Sequence, residues 1–503
     1  MSPRLRLSAA NLSALPANLA RPVYDRSALR TGIVHLGVGS FHRAHQAVYT
    51  DNVLASGDLR WGIVGASLRN SDARDALKPQ DYLYTLNLRA ETETLRVIGS
   101  LQDILVATEN PAALIETLCQ PSVAVVSLTV TEKGYHYDPA TRALNEDDAD
   151  ILHDLAHPHA PRTAFGFIAA AILRRRRLGI TPFTVLCCDN LPANGSTLHG
   201  LLSRYAQLVS PDLGGFVRNE IRCPDTMVDR IVPATTDDDR QHLSETDGID
   251  DRWPVVAEPF TQWIIEDRFS GARPAWDEAG ATFVSDVAPF ESMKLRMLNG
   301  SHSALAYLGY LAGHDTVAEA MDDDALAGFV EGLMTDTIPT LDLPSNIDVE
   351  AYRSSLLTRF RNGALHHRTW QIAMDGSQKL PQRILGPLRE RLAKGLLIER
   401  HALVVAGWMR YVTGIDERGQ PIDVRDPLLK SFRDVLKDAG RDVPRIVGAL
   451  LEFKTIFGED LPADQRFRQA VSDALTRLYS AGSRQTIERL ARLGPQAISG
   501  PLP

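Results

Sequence analysis

The chain has 503 residues, of which 44% are hydrophobic and 23% charged, a composition typical of a globular protein with room for two or three domains. Its formal net charge of −9 argues against general binding to nucleic acid or to an anionic membrane surface. The sequence has no run of about 18 apolar residues and no apolar leader pattern, so we expect a cytoplasmic protein that neither spans a membrane nor is secreted.

The four cysteines, Cys119, Cys187, Cys188 and Cys223, give no indication of a metal site. No two of them form a Cys-x-x-Cys pair, and the sequence contains no His-Glu-x-x-His motif. Cys187 and Cys188 lie inside an apolar, strand-like run, which is typical of buried thiols in a reducing compartment. We therefore predict no bound metal.

The first strong motif is a glycine turn between a strand pattern and a helix pattern. Residues 33–36 form an apolar run, Gly37 and Gly39 follow with one residue between them, and residues 41–55 have helical periodicity. A second apolar run at 61–67 completes the β-α-β context that a dinucleotide-binding turn requires. In such a turn Gly37 permits the tight bend, and Gly39 lets the backbone approach a pyrophosphate.

Two features mean that the residues alone decide neither whether a dinucleotide binds nor whether it is NAD or NADP. His42 stands where the usual fingerprint has its third glycine, so a plain glycine turn is the alternative. The second strand, ending near Ser67, is not followed directly by the acid that would bind the ribose hydroxyls of NAD. Arg69 lies there instead and could hold the 2′-phosphate of NADP.

Polar residues follow two later buried strands. The continuous apolar run 123–130, typical of a parallel sheet covered on both faces, leads into Glu132. The run 183–188 leads in the same way into Asn190. Ligands of open α/β sheets bind beyond the carboxyl ends of the strands, so Glu132, Asn190 and Gly37 are expected at one edge of the sheet.

The pattern changes in the second half of the chain. Asp229 lies in a polar insertion, 224–233, that fits either a site loop or an exposed ion-pairing turn. From about residue 288 onward helical periods dominate and strand patterns almost vanish. The sequence therefore predicts an α/β protein with a Rossmann-like dinucleotide-binding domain over 1–287, followed by a mostly helical domain over 288–503.

Lys294, Asn299 and His302 are polar residues set among apolar ones. Buried polar groups need partners or a function, and a lysine with reduced solvation can accept a proton near neutral pH. On an α-helix Asn299 and His302 share a face, but Lys294 is about 140° from Asn299, so it must reach round or precede the helix. The alternative is an ordinary helix whose polar side chains face water.

The stretch 370–383 combines many hydrogen-bonding side chains. Its composition suits either a wall that binds hydroxyl groups or a helix-terminating loop. Lys379 and Arg383 are four residues apart and on a helix could point the same way, although Pro381 makes a regular helix interior unlikely. The alternative for these two cations is pairing with acids such as Asp375.

Over nearly its whole length the chain resembles the long-chain polyol dehydrogenases, the mannitol dehydrogenase family. The family's Lys-x4-Asn-x2-His motif falls on Lys294, Asn299 and His302. Its glycine turn also ends in a histidine, so His42 belongs to the family pattern. The stretches that carry the resemblance are 33–46, 127–134, 188–192, 226–231 and 293–302.

The resemblance implies a metal-independent, NAD-dependent oxidoreductase that acts on a small sugar acid or polyol, as a monomer or small homo-oligomer. Residues 367–383 and 407–427 are more similar to fructuronate reductases (mannonate oxidoreductases) than to mannitol 2-dehydrogenases, which have arginine at the position of Gln371. The implied cofactor-binding residues are Gly37, Gly39, Ser40, Phe41, His42, Arg43 and Arg69. The implied substrate-binding residues are Asp229, Gln371, Lys379 and Arg383.

The resemblance also implies a role for each catalytic candidate. Lys294 is the base in oxidation and, when protonated, the acid in reduction. The amides of Asn190 and Asn299 hold the substrate oxygen, and His302 bonds the same or the adjacent hydroxyl. Glu132 passes the proton between Lys294 and water. A non-catalytic dinucleotide-binding protein is the alternative from another class, and the intact lysine motif argues against it.

Overall fold

The computed structural model describes residues 5–16, 19–138, 141, 143–345 and 347–492. The chain divides into two compact units, Met1–Ala288 and Pro289–Pro503. The change of pattern in the sequence predicts this boundary after residue 287. Each unit has hydrophobic cores of its own, as expected of separate domains.

The first unit is built on a five-stranded parallel sheet. Its strands are β1 (Thr31–Leu36), β2 (Gly62–Ser67), β3 (Leu101–Val106), β4 (Val125–Leu128) and β5 (Thr184–Cys187), in the order β3-β2-β1-β4-β5. The strand order reverses direction between β1 and β4, and this switch point is where such sheets bind ligands. The prediction of a Rossmann-like domain is confirmed.

Smaller elements complete the first unit. Its other strands are Leu5–Arg6, Tyr84–Arg89, Glu93–Ile98, Tyr137–Asp138, Ala143–Leu144, Thr226–Asp229, Ile249–Asp250, Val255–Ala257, Gln262–Glu266 and Thr282–Val284. Its α-helices are Ser40–Ala44, Gln46–Ala55, Asp72–Leu77, Pro111–Leu118, Ala149–Ala156, Ala164–Arg177, Asn194–Val209, Pro211–Glu220 and Asp237–Thr246.

The helix after the glycine turn is interrupted. The sequence predicts one helix over 41–55, but the structure breaks it at His45, whose backbone has φ −126° and ψ −93°. The His45 ring stacks on Phe41 at 4.9 Å and meets the edge of Trp263 at 5.4 Å, and its Nε2 lies 3.0 Å from Gln262 O. These tertiary contacts override the helical periodicity.

The second unit is helical, as predicted. No described helix is long and apolar enough to cross a membrane. The α-helices are Ala288–Met293, Gly300–Ala304, Tyr310–Ala312, Val317–Asp322, Asp324–Thr337, Val349–Phe360, Thr369–Ala373, Gly376–Leu380, Gly386–Ala393, Glu399–Val412, Leu429–Leu436, Val443–Leu451, Lys454–Phe457, Asp460–Ala463 and Gln465–Arg492, the last of which is kinked at Gly482. Stretches of π-helix occur at Lys294–Asn299, Leu305–Gly309 and Pro381–Leu385.

Two continuous helical runs of the second unit carry its candidate site residues. We name residues 288–312 the lysine helix and residues 376–393 the arginine helix. They approach closely at Gly300, where an added Cβ atom would lie 3.1 Å from the backbone oxygen of Arg383. A larger residue at Gly300 would push the two helices apart.

Candidate active site

The glycine turn after β1 is shaped by its neighbours. Gly37 has φ +97°, and a side chain there would overlap the carbonyl of Thr129, the residue directly after β4. The turn is fixed because Gly37 N donates to Ala66 O at 2.9 Å and Thr129 Oγ1 donates to Gly37 O at 2.7 Å. Gly39 is exposed, and a Cβ atom there would find nothing nearer than 4.0 Å. The turn thus offers a ligand close backbone approach at the switch point.

Two stacked histidines lie behind this turn. The ring centroids of His35 and His42 are 3.4 Å apart, and the two stacked rings are almost parallel. His35 Nε2 lies 3.0 Å from Gly37 O, and its Nδ1 lies 2.8 Å from Ser127 Oγ. Burial lowers the pKa of His35 to about 3 and holds that of His42 well below its usual value, so both rings are neutral. The structure gives His42 a packing role against His35, and a direct cofactor contact stays a prediction.

Arg43 also lies in the interior. Its guanidinium donates to Trp253 O and lies over the rings of Tyr84 and Trp253, at 5.2 Å and 5.4 Å from their centroids. The prediction of Arg43 as a cofactor-binding side chain finds no support in this placement, because the side chain is buried in the core. Ser40 and Phe41, at the start of the helix that follows the turn, are partly exposed.

No acidic residue directly follows β2, where an acid would bind the ribose hydroxyls of NAD. The strand ends at Ser67, and Arg69 and Asn70 after it are both exposed. The first acid is Asp72, which already begins the helix Asp72–Leu77. Arg69 is therefore placed where the sequence predicts it, and the residues alone still do not select between NAD and NADP.

Glu132 and Asn190 follow β4 and β5 and are both exposed. Asp229, in contrast, is 3% exposed at the end of the strand Thr226–Asp229. The adjacent Arg230 is also buried, and its Nε and Nη2 donate to Glu258 O at 3.0 and 2.9 Å. The alternative of an exposed ion-pairing turn around Asp229 is therefore wrong, because this segment is a buried strand.

The lysine helix carries Lys294, Asn299 and His302, with Lys294 8% and His302 7% exposed. Lys294–Asn299 is a π-helix, in which hydrogen bonds join residues five apart rather than four. Residues Lys294 and Asn299 therefore come to nearly the same side of the helix, whereas an α-helix would put them about 140° apart. The expectation that the lysine reaches round or precedes the helix is wrong for this reason.

His302 is a neutral imidazole with spare hydrogen-bonding capacity. Its ring packs against Phe360 at 4.8 Å and meets the edge of His367 at 5.2 Å. Burial lowers its pKa well below the usual value, and nearby positive charges lower it further. Its Nε2 is buried and has no hydrogen-bond partner among the described residues. Such an orphaned buried nitrogen is typical of a site that receives a polar ligand.

The charged groups that act on His302 are cationic. They are Arg383, Arg359 and Lys379, whereas burial lowers the pKa of the neighbouring His367 to about 4 and leaves that ring neutral. Burial lowers the pKa of Arg383 to about 10, and no described residue forms a hydrogen bond or ion pair with its guanidinium. Lys379 Nζ donates to Ile372 O at 3.2 Å. The second unit thus holds a desolvated, positively charged cluster beside His302.

The arginine helix explains how Lys379 and Arg383 both belong to a helix that contains a proline. Pro381 begins the π-helix Pro381–Leu385. Proline cannot donate a backbone hydrogen bond and disrupts the regular α-helical pattern, so a local π-turn is a consistent outcome. Gln371 lies on the preceding helix Thr369–Ala373 and is exposed.

No group of three or more His, Cys, Asp or Glu side chains with metal-binding geometry occurs in the described ranges of the chain. The parallel sheet with a glycine turn at its switch point, followed by a helical unit with a buried lysine, defines a dinucleotide-dependent oxidoreductase. The chain belongs to the mannitol dehydrogenase family. The family model described as the mannitol dehydrogenase Rossmann domain matches residues 31–278, and that of the mannitol dehydrogenase C-terminal domain matches residues 286–479.

Relatives of this chain carry different substrate names. The uncharacterized oxidoreductase YeiQ of Escherichia coli K12 is 46% identical over 477 residues, which cover 94% of this chain and 97% of YeiQ. The D-mannonate oxidoreductase of the same organism is 45% identical over 478 residues, with 94% and 98% covered. The structure of Pseudomonas fluorescens mannitol 2-dehydrogenase with NAD and D-mannitol is 40% identical, has a TM-score of 0.87, and covers 97% of this chain and 100% of its own.

Sequence reasoning missed three residues that the structure places near the candidates. Arg359 and His367 surround His302 but lie 57 and 65 positions after it, and no local pattern links them. Asp189 precedes Asn190 directly and is bonded to the loop that carries Glu132. Its position in the polar run after β5 could have predicted this contact, because an acid at the end of a strand can reach the loop that follows the neighbouring strand.

Proposed function

We propose that the protein is an NAD-dependent oxidoreductase that interconverts a secondary alcohol and a ketone on a six-carbon sugar acid, with D-mannonate and D-fructuronate as the pair. The observation that carries this proposal is the partnerless, desolvated Arg383 guanidinium beside the neutral His302. A buried arginine without an anion is costly unless a ligand supplies one, and arginine binds carboxylates well. The name of the E. coli D-mannonate oxidoreductase supports the same substrate class.

The first unit fits the cofactor. Gly37 and Gly39 would hold the pyrophosphate of NAD, because the turn has no side chain at its exposed face. Ser40 and Phe41, partly exposed after the turn, are the next residues proposed to contact it. When bound, NAD accepts or supplies the hydride. The solved mannitol 2-dehydrogenase relative, named as a complex with NAD, supports this assignment.

The second unit supplies the proton chemistry. We assign Lys294 as the base that takes the hydroxyl proton in oxidation and returns it in reduction. The amide of Asn299 and the neutral ring of His302 donate to the substrate oxygens without competing for that proton, because the pKa of His302 lies far below 7. Asn190 is assigned to hold the reacting oxygen, and Glu132 to exchange the proton with water.

Cofactor preference is the first prediction of this proposal. We expect kcat/KM to be higher with NADH than with NADPH, and Arg69→Ala to change the value for NADH by no more than about twofold, since Arg69 is exposed. The measurement is steady-state kinetics with each nucleotide in the parent and the variant. A higher value with NADPH that is lost in Arg69→Ala would show that Arg69 binds a 2′-phosphate.

Substrate preference is the second prediction. We expect kcat/KM to be higher for D-mannonate than for D-mannitol, and Arg383→Met to lower it for mannonate by about tenfold while changing mannitol little, as for one lost charge-assisted hydrogen bond. Lys379→Met should act in the same direction. Arg389→Met is the matched control, because Arg389 lies on the arginine helix but pairs with Asp460 at 2.6 Å.

The competing function is that of a mannitol 2-dehydrogenase, which the 40% identical solved relative favours. A preference of the parent enzyme for mannitol would establish it. Equal losses for both substrates in Arg383→Met and Lys379→Met would have the same meaning, because they would show that the two cations do not recognise a carboxylate.

A further inference from the structure

The loop between β4 and the predicted proton-exchanging residue is strained. Thr131 has φ +65° and ψ 162°, a backbone conformation that is essentially restricted to glycine and is especially unfavourable for a β-branched residue. It is followed directly by the 3₁₀ turn Glu132–Tyr135. A strained turn of this kind persists only where surrounding contacts over-determine it.

One carboxylate supplies those contacts. Asp189 Oδ2 accepts from Val130 N at 2.9 Å and from Tyr135 Oη at 2.7 Å. Tyr135 is completely buried. Asp189 therefore binds the backbone before Glu132 and the side chain that closes the turn after it.

Asp189 itself is fixed by its position at the end of β5. Its own backbone carbonyl accepts from Asn194 Nδ2 at 3.0 Å, which anchors the loop that also carries Asn190. The strands β4 and β5 are paired in parallel over four residues, up to Leu128 and Cys187. The carboxylate thus connects the loops that follow two adjacent strands.

We infer that Asp189 is a positioning residue that holds the strained turn 131–135 and so fixes Glu132 for proton exchange. The inference rests on the proposed function, in which Glu132 exchanges the proton with water. Asp189 acts through Glu132 and does not itself touch the substrate. No other described side chain is hydrogen-bonded to both Val130 N and Tyr135.

Protonation of Asp189 should make the hold on the turn 131–135 depend on pH. Burial raises the pKa of Asp189 to about 6, and the charge of Glu132 raises it while the bonds from Tyr135 and Val130 lower it. The other titratable groups around this carboxyl are Cys187 and Cys188, whose pKa values burial raises so that both are uncharged thiols. Below about pH 6 a protonated Asp189 accepts fewer hydrogen bonds, and the turn is held less firmly.

Stability and activity should then respond to pH in opposite directions. Because the folded-state pKa of Asp189 is raised above its unfolded value, the folded chain binds the extra proton, and this group's contribution to stability falls as pH rises toward 6. Activity should instead rise over the same window. Asp189→Asn, which keeps an acceptor oxygen but does not titrate, should lack both effects.

The test is a set of kcat measurements with melting temperatures as a check on folding. Asp189→Ala should lower kcat by about 10–100-fold through misplacement of the turn, and Asp189→Asn should restore most of it at about pH 8. Tyr135→Phe, a milder change, should lower kcat about fivefold for one lost hydrogen bond and serves if the alanine variant does not fold. The acid limb near pH 6 should disappear in Asp189→Asn.

The deciding comparison repeats these variants in a Glu132→Gln background. If Asp189 acts through Glu132, neither Asp189→Ala nor Tyr135→Phe lowers kcat further once the glutamate is gone. Equal fold-losses in both backgrounds would overturn the inference and leave the proposed function intact. A Glu132→Gln enzyme with parental kcat would overturn the role of Glu132 in the proposed function and, with it, this inference.

Discussion

Replacing Lys294 with alanine should lower kcat by about 10²–10⁴-fold in both directions, the range expected for a general acid–base residue. Asn299 and His302 are poor substitutes for this base, because Asn299 has a neutral amide and burial holds the pKa of His302 well below its usual value. NADH binding should stay close to that of the parent enzyme, since the glycine turn belongs to the other unit. Stopped-flow or steady-state NADH absorbance measures kcat, and NADH fluorescence measures binding.

The matched control is Lys430→Ala, which removes an exposed lysine from the helix Leu429–Leu436 of the same unit. Its kcat should equal that of the parent. A Lys294→Ala enzyme that kept near-parental kcat would remove Lys294 from the mechanism. The assignment of Asn299 and His302 as donors would then lack the base that they are proposed to assist.

Replacing Gly39 with valine should weaken NADH binding by about 10–100-fold while leaving the melting temperature unchanged, because steric overpacking costs about 1–3 kcal/mol. The chain itself has room for the side chain, since an added Cβ finds no atom closer than 4.0 Å. The space is therefore available for a ligand, and the valine would occupy it. Titration of NADH fluorescence gives the dissociation constant, and calorimetry gives the melting temperature.

Gly271→Val serves as control for this prediction, because Gly271 is an exposed residue of the same unit with no atom within 4 Å of an added Cβ. It should change neither quantity. If Gly39→Val binds NADH like the parent enzyme, the pyrophosphate does not approach this turn. A large drop in melting temperature would instead mean that the turn is packed more tightly than the described contacts show.

The first unit was largely predictable because its strands are buried on both faces. Short continuous apolar runs in an α/β pattern indicate buried parallel strands. The four runs found in the sequence, 33–36, 61–67, 123–130 and 183–188, all contain strands of the sheet. Strand β3 was missed because polar Gln102 and Asp103 interrupt its apolar sequence. The break at His45 was missed because it depends on ring contacts with residues more than 200 positions away.

The second unit shows a different limit of sequence reasoning. The residue types of the lysine motif indicated buried chemistry, and Lys294 and His302 are indeed buried. The predicted angle between Lys294 and Asn299 was wrong because periodicity arguments assume an α-helix, and nothing in a local pattern reports a π-turn. The surroundings of His302 were only partly predictable, because Arg359 and His367 come from distant segments of the chain.

We propose that this enzyme recognises a sugar acid rather than a neutral sugar. The most direct measurement compares kcat/KM for D-fructuronate and D-fructose in the reductive direction at saturating NADH. The unpaired Arg383 guanidinium predicts a preference for fructuronate of about 10–100-fold, the value of one charge-assisted carboxylate contact. Equal values, or a preference for fructose, would contradict the claim and show that the enzyme does not recognise the carboxylate.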